Sequence, residues 1–168
     1  MTGTGRFSTP GQAFFAVALL VWPAAAALAG AQETVRVSVP TVVGFAVADV
    51  SQSTDGSPDS TRIAFSDVTL ANGHALRLSV KADTDTFVGP DGPGIPASKV
   101  SWTSLGASAG LGMSGTLSAS AYGLVFQSDP SPGSPYVDVG WTLAAPGGGV
   151  RAGFHDLTIR WKIEAITP

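Results

Sequence analysis

An alternation of apolar and polar side chains is the strongest pattern in the chain, and it lies near the C-terminus. Positions 157–164 alternate without interruption between apolar and polar residues. The apolar positions of this segment are Leu157, Ile159, Trp161 and Ile163. A period of two places alternate side chains on opposite faces of a β-strand, whereas a helix would scatter them around its axis. The pattern therefore predicts a strand with one apolar face.

Segment 137–143 repeats this pattern a short distance upstream. Its apolar positions are Val137, Val139, Trp141 and Leu143. Both segments centre on a tryptophan, and a large apolar side chain on the buried face of a strand belongs to the core. We therefore expect Trp141 and Trp161 to lie in the core as a matched pair.

Six further segments are rich in strand-forming residues and are bounded by turn residues. These predicted strands are 34–39, 42–50, 61–70, 75–81, 99–105 and 116–127, the last with a break at Gly123. Asn72-Gly73 favours a type I′ turn, so strands 61–70 and 75–81 are expected to pair as an antiparallel hairpin. A bulge near Ser66–Asp67 would bring the two apolar sets of the first strand into phase. The glycine-rich segment 106–115 predicts a flexible loop.

The pattern as a whole predicts an all-β fold, because about eight short strands follow residue 31 and no helical period does. Alternation on nearly every strand requires one buried and one solvated face per sheet, which two packed antiparallel sheets provide. We therefore predict an immunoglobulin-like antiparallel β-sandwich. A closed β-barrel is the alternative, because strand count does not distinguish the two architectures.

The N-terminal segment 1–31 has the pattern of a secretory signal peptide. Arg6 is its one basic residue, Ala13–Trp22 is an apolar run, and small residues follow Pro23. Two Ala-x-Ala sites end at Ala29 and Ala31, and cleavage after Ala31 divides the chain into a signal peptide, 1–31, and one β-sandwich domain, 32–168. We expect a secreted or cell-surface protein that is not in the membrane after cleavage; retention of the segment as an anchor is the alternative.

Composition narrows the classes of partner and cofactor. All 12 acidic residues follow Ala31, but only eight of the nine basic residues do, so segment 32–168 has a formal net charge of −4. Without a basic cluster, nucleic acid is not an expected partner. The chain has two histidines and no cysteine, and its loop aspartates lack the spacing of an EF-hand, so neither a metal nor another cofactor is predicted.

Two short motifs resemble those of enzymes but lack the required context. Gly106-Ala-Ser-Ala-Gly110 matches the G-x-S-x-G nucleophile elbow, which needs a strand before the serine and a helix after it. Gly110-Leu-Gly-Met-Ser-Gly115 matches G-x-G-x-x-G, which must open a helix to bind a dinucleotide. No helix is predicted in either place, so we expect no catalysis. A small hydrolase using Ser108 with His155 is the alternative.

Exposed aromatic side chains are the candidate partner contacts. Four of them lie at predicted loops or strand ends, where a ring is free to stack on a sugar or on another protein. They are Phe87, Tyr122, Tyr136 and Phe154. The expected partners are cell-wall polysaccharide and other surface proteins.

Two resemblances point to secreted bacterial surface β-domains. Val139-Gly-Trp-Thr-Leu-Ala-Ala-Pro146 and the terminal Ala152-Gly-Phe-His-Asp-Leu-Thr-Ile-Arg-Trp-Lys-Ile163 resemble the paired Trp-x-Leu strands of the WxL cell-wall-binding family, with Ile163 in place of Leu. This resemblance covers about the last 30 residues and implies non-covalent attachment to peptidoglycan.

The alternating segment 34–39 is similar to the donated strand of pilin-like and spore-coat-like β-sandwich subunits. In those proteins a neighbour's N-terminal strand completes an incomplete fold. The chain lacks the cysteine pair and the penultimate aromatic residue of common pilins. We accordingly expect a non-catalytic structural or adhesive domain, with a pilus-like or coat-like subunit that self-associates by exchange of its first strand as the alternative.

Overall fold

The computed structural model describes residues 32–168, which form ten β-strands and one short 3₁₀ helix. The predicted signal peptide, 1–31, lies outside the described residues. The strands are β1 (Thr34–Ser38), β2 (Thr54–Asp55), β3 (Thr61–Thr69), β4 (Ala75–Ala82), β5 (Val100–Ser108), β6 (Gly110–Gly112), β7 (Gly115–Thr116), β8 (Gly123–Ser128), β9 (Tyr136–Leu143) and β10 (Ile159–Ile166), and the 3₁₀ helix is Ala97–Lys99.

The strands form two antiparallel sheets that pack face to face. The first sheet has the order β1-β3-β9-β5-β7, with β2 on the end of β9, and the second has the order β10-β4-β8-β6. Apolar faces of both sheets meet in one core, in which the rings of Phe65 and Phe126 stack at 5.8 Å. The antiparallel β-sandwich predicted from the alternation is confirmed. Within residues 32–168 the two sheets are not closed into a barrel.

Three tryptophans form a continuous row through the core. Trp102 on β5 is paired with Trp141 on β9, and their rings lie 6.3 Å apart. Across the sandwich, the Trp161 ring on β10 meets Trp141 edge-on at 6.2 Å. Such edge-to-face contacts add to the stabilisation from burial. Trp141 and Trp161 are therefore partners across the two sheets.

Trp161 is less buried than its position in the pattern suggested. Trp141 is 4% exposed, whereas Trp161 is only half-buried and packs on the margin of the core. The reason is topological, because β10 is an edge strand of the second sheet and has a neighbour, β4, on one side alone. An edge position cannot be read from the strand's own sequence.

The predicted hairpin between segments 61–70 and 75–81 is wrong. β3 belongs to the first sheet and β4 to the second, so the connection between them crosses the sandwich. The His74 N–H donates to the Ala71 carbonyl at 3.0 Å, and Gly73 has φ 81°, but Asn72 does not have the positive φ of a type I′ turn. Positive φ at the second central residue alone fits a type II turn, which does not impose hairpin pairing.

The predicted bulge in the first of these strands is confirmed. Thr34 pairs with Thr69 and Arg36 pairs with Ser66, so β3 has one residue more than β1 in this interval. Asp67 lies within the bulge with φ 50°. The extra residue brings Phe65 into the core and Val68 against it, as the out-of-phase apolar sets required.

Two other segments also differ from expectation. Segment 42–50 has a single bridge, Gly44 to Ser57, in place of a strand, because β2 takes the position beside β9. Segment 106–115 contains the end of β5, all of β6 and the start of β7, so it is largely strand and not a flexible loop. Ala109, at φ 49°, turns the chain from the first sheet to the second. Among the described residues no helix is long and apolar enough to cross a membrane.

Candidate partner-binding surfaces

The four aromatic residues proposed as partner contacts do not form one patch. Phe87 packs against the core and is half-buried. Tyr136 lies on the outer face of the first sheet, because the side chain of its neighbour Val137 points inward. Tyr122 lies over the outer face of the second sheet, and Phe154 is in the loop before β10. The aromatic residues are thus distributed over separate surfaces.

On the first sheet, Tyr136 belongs to a compact polar cluster. The Arg62 guanidinium lies 3.9 Å from the centre of the Tyr136 ring, and it donates two hydrogen bonds of 2.8 Å to the Asp138 carboxylate. These hydrogen bonds hold the pKa of the Asp138 carboxyl below its usual value and raise the pKa of Arg62. Arg62 therefore has both an anionic and an aromatic partner within its own sheet.

On the second sheet, Tyr122 is flanked by two cations from different strands. Lys81 of β4 and Lys162 of β10 place their ammonium groups 5.2 and 5.8 Å from the centre of the ring. The tyrosine side chain is still 41% exposed. Both ammonium groups lie within the distance of cation–π attraction, so the ring holds them near one point of the surface.

An ion pair continues this surface next to Lys81. Arg160 donates two hydrogen bonds, of 2.6 and 3.0 Å, to the Asp83 carboxylate. The pKa of Asp83 is lowered mainly by these hydrogen bonds and further by the positive charges of Arg160 and Lys81, while the pKa of Arg160 is raised. Arg160 is directly opposite Lys81 in the sheet. Arg160 therefore lies between a cation, Lys81, in the sheet and a carboxylate, Asp83, to which it is hydrogen-bonded.

An apolar residue is exposed at the end of the sandwich where β10 begins. Phe154 is 94% exposed, and Val88, in the strand-like segment bridged to Asp156, is also exposed. The His155 ring lies against Gly89, and its Nε2 is 2.9 Å from the Arg151 carbonyl. This end combines a free aromatic ring with a histidine fixed by the backbone.

Ser108 lies at the end of the sandwich opposite to His155, where it is hydrogen-bonded to the backbone. Its Oγ accepts a hydrogen bond of 3.0 Å from the Tyr136 backbone N–H, which connects β5 to β9. His155 lies near the segment that leads into Val100, at the start of β5, whereas Ser108 ends that strand. A strand of this length places its ends about 26 Å apart. The structure therefore does not bring Ser108 and His155 together.

The side of the sandwich opposite β5 is bordered by two edge strands, β1 and β10. A small cleft of about 50 Å³ lies between them, lined in part by Val35 and Ile163. At its mouth the Glu33 carboxylate accepts a hydrogen bond of 2.9 Å from the Ala71 N–H and lies 2.7 Å from His74 Nδ1. The start of β1 is thereby tied to the connection between the two sheets.

The cluster of cations on the second sheet was not identified from the sequence. Its members are two pairs that lie far apart in the chain, Arg77 and Lys81 on β4 and Arg160 and Lys162 on β10. The available signal was their position at the polar sites of two alternating strands. Only the pairing of β4 with β10 brings the two pairs onto one surface.

No group of three or more histidine, aspartate or glutamate residues in segment 32–168 is arranged to hold a metal ion. Comparison with protein-family models gave no match, and no similar protein was found among curated proteins or solved structures.

Proposed function

We propose that segment 32–168 acts as a non-catalytic β-sandwich with a structural or adhesive role outside the cytoplasm. The observation that carries this proposal is that β1 completes the sandwich of its own chain. β1 pairs with β3, and Val35 and Val37 pack against the core. Such a domain is able to present its surfaces to a partner without a strand from a neighbour.

Three further contacts support a strand that stays in its own fold. Glu33 is bound to the connection between β3 and β4 through the Ala71 N–H and the His74 ring. Arg36 forms an ion pair of 3.2 Å with Asp67 in the β3 bulge. Exposed ion pairs contribute little by themselves, so the apolar packing of β1 contributes more to holding the strand in place. These contacts favour a self-complete domain over a subunit that polymerises by strand exchange.

A cross-strand disulfide distinguishes a self-complete domain from a subunit that polymerises by exchange of β1. Ser38 and Ala64 are directly paired on β1 and β3, and the chain has no cysteine of its own. The Ser38→Cys/Ala64→Cys variant should form a bond that locks β1 into its own domain. We expect oxidised and reduced forms, and the unaltered segment 32–168, to elute from gel filtration as monomers at all concentrations.

Elution peaks of dimers and larger oligomers that grow with protein concentration would contradict this expectation. One such result is that the unaltered protein and the reduced variant form these oligomers while the oxidised variant stays monomeric. That result would identify the protein as a polymerising subunit that exchanges β1. The single variant Ser38→Cys, kept reduced, is the matched control for the substitution itself.

The proposed location is tested separately with the full chain. We expect the mature protein to begin at Gln32 and to be accessible to protease added outside the cell. A Leu19→Arg/Leu20→Arg variant, which interrupts the apolar run of the signal peptide, should stay inside with an unprocessed N-terminus. Cytoplasmic localisation of the unaltered chain would overturn the proposed role.

A further inference from the structure

We propose that the outer face of the second sheet binds an acidic polysaccharide. This inference rests on the proposed adhesive function and names its ligand class and its site. We define the cationic face as Arg77, Lys81, Arg160 and Lys162 together with Tyr122. β4 and β10 supply the four cations, and the residue just before β8 supplies the ring.

The charge of this face is opposite to that of the rest of the segment. Half of the eight basic residues of segment 32–168 lie here, on a segment with a formal net charge of −4. The acidic residues of the face are Asp83 and Glu164, which form ion pairs with Arg160 and Lys162 at 2.6 and 2.7 Å. The face therefore has a net charge of +2, and local fields of this kind attract anionic ligands.

Two of the cations are arranged at a cost to stability. Lys81 and Arg160 are direct neighbours on adjacent strands, and like charges in that position repel each other. Asp83 offsets part of the repulsion at Arg160, and Tyr122 holds the ammonium group of Lys81. An anionic group bound between the two cations would offset the remainder. The arrangement is that of a site prepared for a negative ligand.

Arg77 adds an incompletely paired guanidinium at the end of the same face. It is opposite Glu164 in the sheet, but the Glu164 carboxylate lies against Lys162. The Arg77 Nε is buried and has no hydrogen-bond partner among the described residues. A buried Nε does not reach a ligand on the surface, so Arg77 contributes to the cationic face through its positive charge, with which no carboxylate of the described residues forms an ion pair.

The aromatic ring and the size of the face favour a sugar polymer. Tyr122 presents an exposed amphipathic ring between two cations, which suits a sugar with an apolar face and a carboxylate substituent. Duplex nucleic acid carries one charge per about 1.7 Å of its length. Such a dense polyanion would extend from the cationic face over the acidic remainder of the domain. A uronic acid polymer has fewer charges per unit length and meets less repulsion.

The test measures binding of polygalacturonate to segment 32–168 by titration calorimetry at low ionic strength. We expect Lys81→Ala/Lys162→Ala to weaken binding about tenfold or more. Lys99→Ala/Arg151→Ala removes the same charge elsewhere and should change affinity less than about twofold. Thermal unfolding of each variant verifies that the fold is retained.

Three further arms identify the ligand chemistry. Tyr122→Ala should weaken binding of polygalacturonate more than binding of inorganic polyphosphate, because only the sugar stacks on the ring. Neutral dextran should not bind. Equal losses in the two charge variants, tighter binding of duplex DNA, or unchanged binding by Lys81→Ala/Lys162→Ala would overturn the inference. A protein that remains at the cell surface but fails to bind polygalacturonate would refute this site and leave the proposed function standing.

Discussion

A buried hydrogen bond between Thr61 and Trp141 offers a quantitative test of the core. The Trp141 Nε1–H donates to Thr61 Oγ1 at 3.0 Å, and the Thr61 hydroxyl donates to the Val139 carbonyl at 3.1 Å. Thr61 and Trp141 are both 4% exposed, so water does not replace a lost partner. The bond joins β3 to β9 at the centre of the first sheet.

Removal of the hydroxyl should be costly only while the indole N–H is present. Thr61→Val keeps the shape of the side chain but leaves the Trp141 N–H without a partner, at a cost of about 1–3 kcal/mol in the free energy of unfolding. Trp141→Phe removes that donor and should cost about 1–3 kcal/mol through lost packing. In the Trp141→Phe background, Thr61→Val should cost about 1 kcal/mol or less, because only the bond to Val139 is lost.

Urea unfolding of the two single variants and the double variant measures this coupling, with far-UV circular dichroism as the signal. The exposed threonine Thr103, in variant Thr103→Val, is the matched control and should change stability by less than about 0.5 kcal/mol. If Thr61→Val cost the same in both backgrounds to within about 0.5 kcal/mol, the hydrogen bond would not contribute as the geometry implies.

Three other perturbations test different parts of the fold. Gly123→Ala should clearly lower the midpoint of urea unfolding, because the added Cβ would lie 2.5 Å from the Trp102 ring. Gly133→Ala is the control and should leave the midpoint unchanged, because the space around Gly133 is open. Similar midpoints for the two variants would contradict this packing. Asp138→Asn should lower the melting temperature near pH 6, because the hydrogen bonds from Arg62 that lower the pKa of Asp138 stabilise the fold while the carboxyl is ionised. The difference in melting temperature should shrink as the pH falls below the unfolded pKa of about 3.9 and through the lowered folded-state pKa, and a difference independent of pH would refute the ion pair. Replacement of a fully buried tryptophan by alanine typically lowers the free energy of unfolding by about 3–5 kcal/mol. Trp161→Ala should lower it by less, because this ring is half-buried. A loss of that size or larger in urea unfolding would contradict the edge position of Trp161.

The sequence pattern was sufficient for the faces of the strands but not for their neighbours. Val137, Val139 and Leu143 point into the core as the alternation predicts, because side-chain direction follows from the period of a strand. Pairing depends on contacts between distant segments, which no local pattern contains. Asn72-Gly73 illustrates this, since its turn residues suit a hairpin but the strands on either side belong to different sheets.

The same limit applies to the candidate sites. Tyr122 was identified as an exposed aromatic, but its cationic neighbours come from positions 81 and 162 and could not be assigned to it from sequence. Conversely, Ser108 matched a catalytic motif letter for letter, yet its hydroxyl accepts a backbone hydrogen bond across two strands. A nucleophile elbow needs a helix after its serine, and the element that follows Ser108 is the strand β6.

The last strand connects the core of this protein to its proposed binding surface. Trp161 points inward against Trp141, and the alternation of β10 then directs Arg160 and Lys162 outward beside Lys81. A shift of one residue in the pairing of β10 with β4 would exchange its two faces, burying the charges and exposing the ring. The edge contact of Trp161 with Trp141 opposes that shift more than the exposed ion pairs do, because it removes apolar surface from water. The alternation at the end of the chain therefore has two consequences, since the packing of its apolar residues fixes the register that brings the cations of two strands together.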